Sequence, residues 1–110
     1  MKHIYHLKKN QDFQAVMQKK ISTSASAFVV YVLRNEQPHA RIGLSVTKKL
    51  GNAVVRNRIK RQVRMMCDST FRYEDNLDWV IIIRKPYLTN DYETNQRQLN
   101  QLVSQLSLRV

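Results

Sequence analysis

The sequence predicts one α/β domain over residues 1–110 with the element order α-β-β-α-β-α. Three segments carry apolar residues at helical spacing, and three shorter runs are rich in β-branched and aromatic residues. The chain has only 2 glycines and 2 prolines. That composition is typical of an ordered globular domain and excludes collagen-like, linker and disordered chains.

The first predicted helix begins near Asn10, a residue type that favours the N-cap position, and Asp12 suits its first turn. Its apolar face consists of Phe13, Val16, Met17 and Ile21. The Ser, Thr and Ala residues of segment 21–27 break the helical pattern. This segment therefore separates the helix from the first strand. The element order leaves room for one further short strand, whose position the sequence does not fix.

Two strands follow, over residues 28–33 and 41–47, with a turn over 35–39. The first is almost entirely apolar, which is typical of a mostly buried strand. Its alternation places Tyr31 on the face opposite Phe28. The second alternates between apolar and polar residues, so Ile42, Leu44 and Val46 face a core. We expect these two consecutive strands to pair with each other.

The second predicted helix covers residues 53–67, with Asn52 as its cap. A step of 100° per residue brings one apolar sector together, and this sector is the predicted buried face: Val55, Ile59, Val63 and Met66. Arg56, Lys60 and Arg64 form a row that we expect on the opposite side, beside Asn57 and Arg61. This row of like charges destabilises the isolated helix.

The last two elements are a buried strand over residues 79–83 and a helix over 92–107. An acidic loop over 68–78 precedes the strand. Because the basic helix lies between two strands, the order also suggests a β-α-β unit.

The charge distribution points to an anionic partner. The chain has 19 Lys and Arg residues against 8 Asp and Glu residues, for a net charge of +11. Segment 41–64 contains basic residues but no acidic one. Such a concentration of positive charge favours nucleic acid or anionic lipid as the partner. The sequence has neither a run of apolar residues long enough for a membrane span nor a signal peptide, and its single Cys67 suits a reducing cytoplasm.

Residues for catalysis or metal binding do not form a recognisable motif. His3, His6 and His39 lack the spacing of metal ligands. Most carboxylates lie in predicted loops or at helix starts, where they aid solubility and capping. We expect no catalytic residue and no metal ligand in this chain. Aromatic residues such as Phe13 and Tyr31 could instead act as stacking platforms for single-stranded RNA, although a core position is the alternative for both.

The segments RIGLSV at 41–46 and KKLGNAVVRNRIKR at 48–61 closely resemble the arginine-asparagine-arginine signature of the bacterial ribonuclease P protein subunit. The likeness includes LKKNQDF at 7–13, FVVY at 28–31 and IIIRKP at 81–86, so it extends over nearly the whole chain. For the fold, this resemblance implies an α/β (α+β) two-layer sandwich with a left-handed β-α-β crossover.

For function, the resemblance implies a small basic protein that joins a catalytic RNA, in a 1:1 complex, to remove the 5′ leader of precursor tRNA. Catalysis and the Mg²⁺ ions would belong mainly to the RNA. The resemblance assigns contact with the catalytic RNA to the basic helix and the loop before it, which here are Lys48, Lys49, Arg56, Asn57, Arg58, Lys60, Arg61 and Arg64. Arg58 lies between the polar and apolar sectors, so it either supports the fold or reaches the RNA from the flank.

The resemblance also implies that a cleft between the first helix and the sheet binds the leader. Phe13 and Tyr31 match aromatic positions of the family, whereas Met17 replaces a second aromatic residue. A thioether packs against a base but stacks less specifically than a ring.

Three alternatives share the size and charge. A ribosomal-type or RNA-chaperone assembly protein is the main one, and it would not require a leader cleft. A DNA-binding regulator would use helix 53–67 for recognition, but the flanking strands disfavour a helix-turn-helix. A metal-dependent nuclease acting without RNA would need a carboxylate or histidine cluster.

Overall fold

The computed structural model describes all residues, 1–110, and contains a four-stranded sheet with three α-helices. The helices are α1 (Asn10–Gln18), α2 (Ala53–Thr70) and α3 (Tyr92–Ser107), and the strands are β1 (Ser22–Ser24), β2 (Phe28–Arg34), β3 (Arg41–Ser45) and β4 (Leu77–Ile83). Short 3-10 turns lie at His3–Tyr5, Lys48–Leu50 and Lys85–Leu88. The predicted α/β class is confirmed, with β1 as an additional short strand, and α1 adds a partial third layer to the predicted two-layer sandwich.

The predicted pairing of the strands over residues 28–33 and 41–47, which are β2 and β3, is wrong. The sheet order is β1-β2-β4-β3, so β4 lies between β2 and β3. Strand β4 pairs antiparallel with β2, where Ile81 is opposite Val30, and parallel with β3, where Ile81 is opposite Leu44. The apolar β4 thereby occupies a central position, where six of its seven residues are buried. The parallel β3-α2-β4 unit confirms the predicted β-α-β arrangement, and its left hand stays a prediction.

The helix boundaries follow from capping. Asn52 Oδ1 accepts a hydrogen bond from the Val55 amide at 3.0 Å, as predicted for α2. Asp91 Oδ1 accepts one from the Thr94 amide at 2.8 Å and so begins α3. Asn10 is not the cap of α1, because the helix already includes it and Lys9 precedes it without a side-chain bond. Helix α2 continues to Thr70, so the predicted acidic loop begins inside its last turn.

The sheet has helices on both faces. Phe28, Val30 and Val32 face α2 and α3 across the main core. On the other face, α1 places Val16 against Val80 and Leu7 in a smaller core. Helix α1 covers this second face only in part, because Tyr31 and its neighbours there remain half-buried. The partly open face is the structural origin of the cleft described below.

Candidate RNA interface

The outer surface of α2 differs from the predicted one. The predicted buried face is confirmed for Ile59, Val63 and Met66. However, Arg56, Lys60 and Arg64 are half-buried and flank this face instead of lying opposite it. Cys67 is fully buried and extends the apolar sector toward their side of the helix. The exposed row consists of Asn57, Arg61 and Met65.

The cations of α2 and of the turn before it have no acidic partners. The ion pairs of the chain involve Arg41, Arg72 and the N-terminal amine only. Seven cations therefore remain unpaired: Lys48, Lys49, Arg56, Arg58, Lys60, Arg61 and Arg64. The Nε atoms of Arg56 and Arg64 are buried without a hydrogen-bond partner. An anion docked along this helix would relieve both the repulsion and the unmet hydrogen bonding.

Lys48 and Lys49 are exposed in the 3-10 turn that links β3 to α2. Gly51 ends this turn with φ at 139°, in the region that favours glycine, and a Cβ there would lie 3.0 Å from Val55 Cγ1. The Lys48–Leu50 turn contacts the Lys85–Leu88 turn, which follows β4. Exposed Arg84 and Lys85 therefore lie at the same end of the sheet as Lys48 and Lys49. The sequence analysis did not include Arg84 and Lys85 in the RNA surface. The signal that could have found them is that each of the two turns directly follows a strand, and these strands are neighbours in the sheet.

Arg58 lies apart from the other cations of α2. It lines a cavity of about 260 Å³ that α2 forms with the Lys85–Leu88 turn and the start of α3. The helical pattern predicted Arg58 at the edge between the polar and apolar sectors of α2. In the structure it lies on the flank of the helix away from Lys60. It therefore reaches a different part of the surface.

Phe13, Met17 and Tyr31 come together, as the resemblance implies. All three are half-buried around the small core of Leu7, Val16 and Val80. Tyr31 is opposite Val80 in the sheet, and Val80 is opposite Gly43, so these three residues form one row under α1. The next row on this face contains Val29, Ile82 and Ser45, which are half-buried. We call this partly exposed surface between α1 and the sheet the cleft; its floor is mainly apolar, and Phe13 and Tyr31 lie at its side.

An ion-pair network holds α1 near this cleft. Arg41 Nε and Nη2 donate to the buried Asp78 carboxylate at 2.8 and 2.6 Å, and Asn35 Nδ2 donates to Asp78 Oδ1 at 2.7 Å. These hydrogen bonds with Asp78 raise the pKa of Arg41. Arg41 Nη1 also lies 3.6 Å from Asp12 of α1. Asp12 therefore does more than stabilise the first turn of its helix.

The titratable residues outside these surfaces do not form a metal centre. No group of three or more His, Cys, Asp and Glu side chains is placed to hold a metal ion. Burial lowers the pKa of His6, and the positive charge of Arg64 lowers it further.

None of the helices has both the length and the apolar character needed to cross a membrane.

Comparison with known proteins identifies the family. The family model described as Ribonuclease P matches residues 1–107. The chain belongs to the ribonuclease P protein family. As a member of this family, it is a protein component of ribonuclease P, which confirms the resemblance drawn from its signature.

Two relatives carry the name Ribonuclease P protein component. The one from Bacillus cereus is 50% identical over 101 residues, which cover 90% of this chain and 88% of that protein. The one from Mesoplasma florum is 45% identical over 105 residues and covers 94% and 96% of the two chains.

Solved structures of ribonuclease P proteins share the fold. The Staphylococcus aureus RNase P protein has a TM-score of 0.82 at 39% identity, over 91% of this chain and 93% of that one. The Thermotoga maritima protein has a TM-score of 0.76 at 28% identity, over 90% and 96% of the two chains. A further Staphylococcus aureus structure, with a TM-score of 0.83 at 36% identity and coverage of 92% and 86%, is of a mutant described as having defective mRNA degradation activity.

Proposed function

We propose that this chain binds the catalytic RNA of ribonuclease P along α2 and the Lys48–Leu50 turn, and binds the 5′ leader of precursor tRNA in the cleft between α1 and the sheet. The observation that carries the proposal is the set of unpaired cations on α2 and the turn before it. At about 1.5 Å per residue, Arg56 to Arg64 covers roughly 12 Å of helix, enough for several backbone phosphates. Arginine forks suit phosphate oxygens, and Asn57 can both donate and accept hydrogen bonds.

The cleft suits a single strand. Phe13 and Tyr31 offer ring surfaces to bases, and Met17 adds a polarizable thioether. Lys48, Lys49, Arg84 and Lys85 lie at the end of the sheet where β3 and β4 finish. A strand that crosses the cleft toward this end would have its phosphates among these cations. The same end carries the first residues of the α2 surface, so one protein molecule would join leader and catalytic RNA in a 1:1 complex.

In this proposal the protein supplies binding and the RNA supplies catalysis. The Mg²⁺ of the holoenzyme stays with the RNA, because the side chains here do not fit a metal site: Asp78 is bonded to Arg41 and Asn35, and Asp12 lies beside Arg41. No step is assigned to a metal ion on this chain. Its place of action is the cytoplasm, where precursor tRNA is made in bacteria.

The test is cleavage of a leader-bearing precursor tRNA at low Mg²⁺ by a bacterial catalytic RNA, with and without this protein, beside the protein alone. We expect efficient cleavage at the mature 5′ end only when RNA and protein are combined. Tight binding to the catalytic RNA with no gain in cleavage would instead support an assembly protein. Cleavage by the protein alone would instead support an RNA-degrading activity of the protein itself; the Staphylococcus aureus mutant is described as defective in mRNA degradation activity.

A further inference from the structure

A second concave site lies beside the proposed RNA surface of α2. It is the cavity of about 260 Å³ between α2, the Lys85–Leu88 turn and the start of α3. This volume is below the range of about 300–1,000 Å³ that is usual for drug-sized ligands. The cavity therefore suits a group smaller than a drug-sized molecule, such as a single nucleobase.

The walls combine exposed apolar surface with one free cation. Leu88 and Tyr92 are 44% and 43% exposed, although both are large hydrophobic side chains. Arg58 is exposed and has no acidic partner. No Asp or Glu lines the cavity. An aromatic ring, an aliphatic side chain and a guanidinium are the groups that bind a base and its phosphate.

The polar groups at the bottom of the cavity are held in place. Tyr87 donates its hydroxyl to Gln62 Oε1 at 2.8 Å, and burial raises the pKa of Tyr87 to about 12, so the donor stays protonated. This bond fixes the Gln62 amide and leaves its Nε2 without a partner in the chain. Asn90 Nδ2 donates to Asn95 Oδ1 at 3.0 Å, while Asn95 Nδ2 donates to the Tyr87 carbonyl at 3.1 Å. The unused Gln62 donor can read the edge of a base.

We propose that this cavity receives the base of one unpaired nucleotide of the RNA bound along α2, with Tyr92 and Leu88 against the base and Arg58 at its phosphate. The proposal rests on the proposed function, because it takes the catalytic RNA as the ligand of α2. Continuity favours this occupant: Arg58 follows Asn57 directly on α2, so an RNA strand that contacts Asn57 and Arg61 passes the mouth of the cavity. Arg58 thus binds RNA from the flank of the helix.

The experiment measures binding and nucleotide-resolution chemical probing of a bacterial ribonuclease P catalytic RNA with the full chain. The variants are Tyr92→Ala, Tyr92→Phe and Arg58→Ala. Arg97→Ala is the matched charge control, because Arg97 is exposed on α3 but does not line the cavity. Arg61→Ala tests the α2 surface independently. Circular dichroism of each variant tests whether the fold is kept.

We expect Tyr92→Ala to weaken binding about fivefold or more, and Tyr92→Phe to stay within about twofold of wild type. We also expect wild-type protein to protect one unpaired nucleotide from modification. Tyr92→Ala and Arg58→Ala should both lose that protection while the rest of the footprint persists. Wild-type affinity and an intact footprint for Tyr92→Ala, together with weaker binding by Arg61→Ala, would overturn the nucleotide site alone. No binding by wild-type protein, or no effect of Arg61→Ala, would overturn the proposed function and the site with it.

Discussion

The ring of Phe13 lies directly over the backbone of Gly43. A Cβ built on Gly43 would come within 2.8 Å of Phe13 Cε2 and closer still to Cζ, so no other residue fits there without moving the ring. Gly43 is buried in β3, opposite Val80 of β4. This contact sets the distance between α1 and the sheet, and with it the width of the cleft that contains Phe13, Met17 and Tyr31.

We therefore predict that Gly43→Ala displaces Phe13 and lowers the free energy of unfolding by about 1–3 kcal/mol, the usual cost of overpacking. Affinity for leader-bearing precursor tRNA falls at the same time. Urea unfolding and binding to precursor and mature tRNA measure the two effects. Ser45→Ala, two residues along the same face of β3, is the control for the loss of stability. In a Phe13→Ala background, Gly43→Ala should cost less; an equal cost in both backgrounds would show that the contact is not responsible.

Tyr31 tests whether the cleft binds the leader. Its ring is half-buried on the open face of the sheet. We predict that Tyr31→Ala in the holoenzyme weakens binding of precursor tRNA by about 1–3 kcal/mol and leaves mature tRNA unchanged, because only the precursor has a leader to stack. Tyr31→Phe keeps the ring and should bind like wild type. Equal losses on the two tRNAs would assign Tyr31 to the core.

Arg61 and Arg56 test the α2 surface. Arg61 is exposed and Arg56 half-buried, and neither forms an ion pair. We predict that Arg61→Ala and Arg56→Ala each weaken binding to the catalytic RNA and reduce the slope of log affinity against log salt by about 1, since each removes one phosphate contact. Filter binding over a salt series measures the slope. Arg109→Ala, which removes an exposed cation at the other end of the sequence, should leave the slope unchanged; unchanged slopes in the α2 variants would reject the interface.

The buried carboxylate of Asp78 anchors the face that carries α1. We predict that Asp78→Ala lowers the free energy of unfolding by about 2–4 kcal/mol, because it removes the buried carboxylate that accepts hydrogen bonds from both Arg41 and Asn35. Glu74→Ala is the control: its pair with Arg72 is largely exposed and contributes less than about 1 kcal/mol. Thermal and urea unfolding compare the two. Similar losses for both variants would contradict the role assigned to Asp78.

Local patterns predicted the elements but not their partners. The apolar runs over 28–33 and 79–83 identified β2 and β4 because burial on both faces is visible within one segment. The choice between β2 and β4 as neighbour of β3 depends on contacts distant in sequence, so the short connection between β2 and β3 suggested the wrong pair. The hand of the β3-α2-β4 crossover likewise has no signal in local sequence patterns. The general rule for parallel strands favours the right hand, so it does not predict a left-handed crossover.

The same distinction applies to the site. The charge of segment 41–64 revealed the basic surface, and the alternation of β2 placed Tyr31 on the face opposite Phe28. No local pattern shows that Asp12 meets Arg41, that Phe13 covers Gly43 or that Arg58 faces α3. These relationships arise when α1 and α3 dock on opposite faces of the sheet.

His6 gives the fold a pH dependence of its own. Burial lowers its pKa below the ordinary value of 6.5, and the charge of Arg64 on α2 acts in the same direction, with smaller contributions from His3 and Lys8. Its Nε2 is buried without a hydrogen-bond partner. Between its folded-state pKa and 6.5 the unfolded chain binds more protons than the folded one, so stability is complete above pH 6.5 and falls as the pH decreases through that window. We predict that the free energy of unfolding of wild type declines from pH 7.5 to 5.5 and that His6→Gln declines less. His39→Gln is the matched control, and an equal decline in all three proteins would contradict the role of His6.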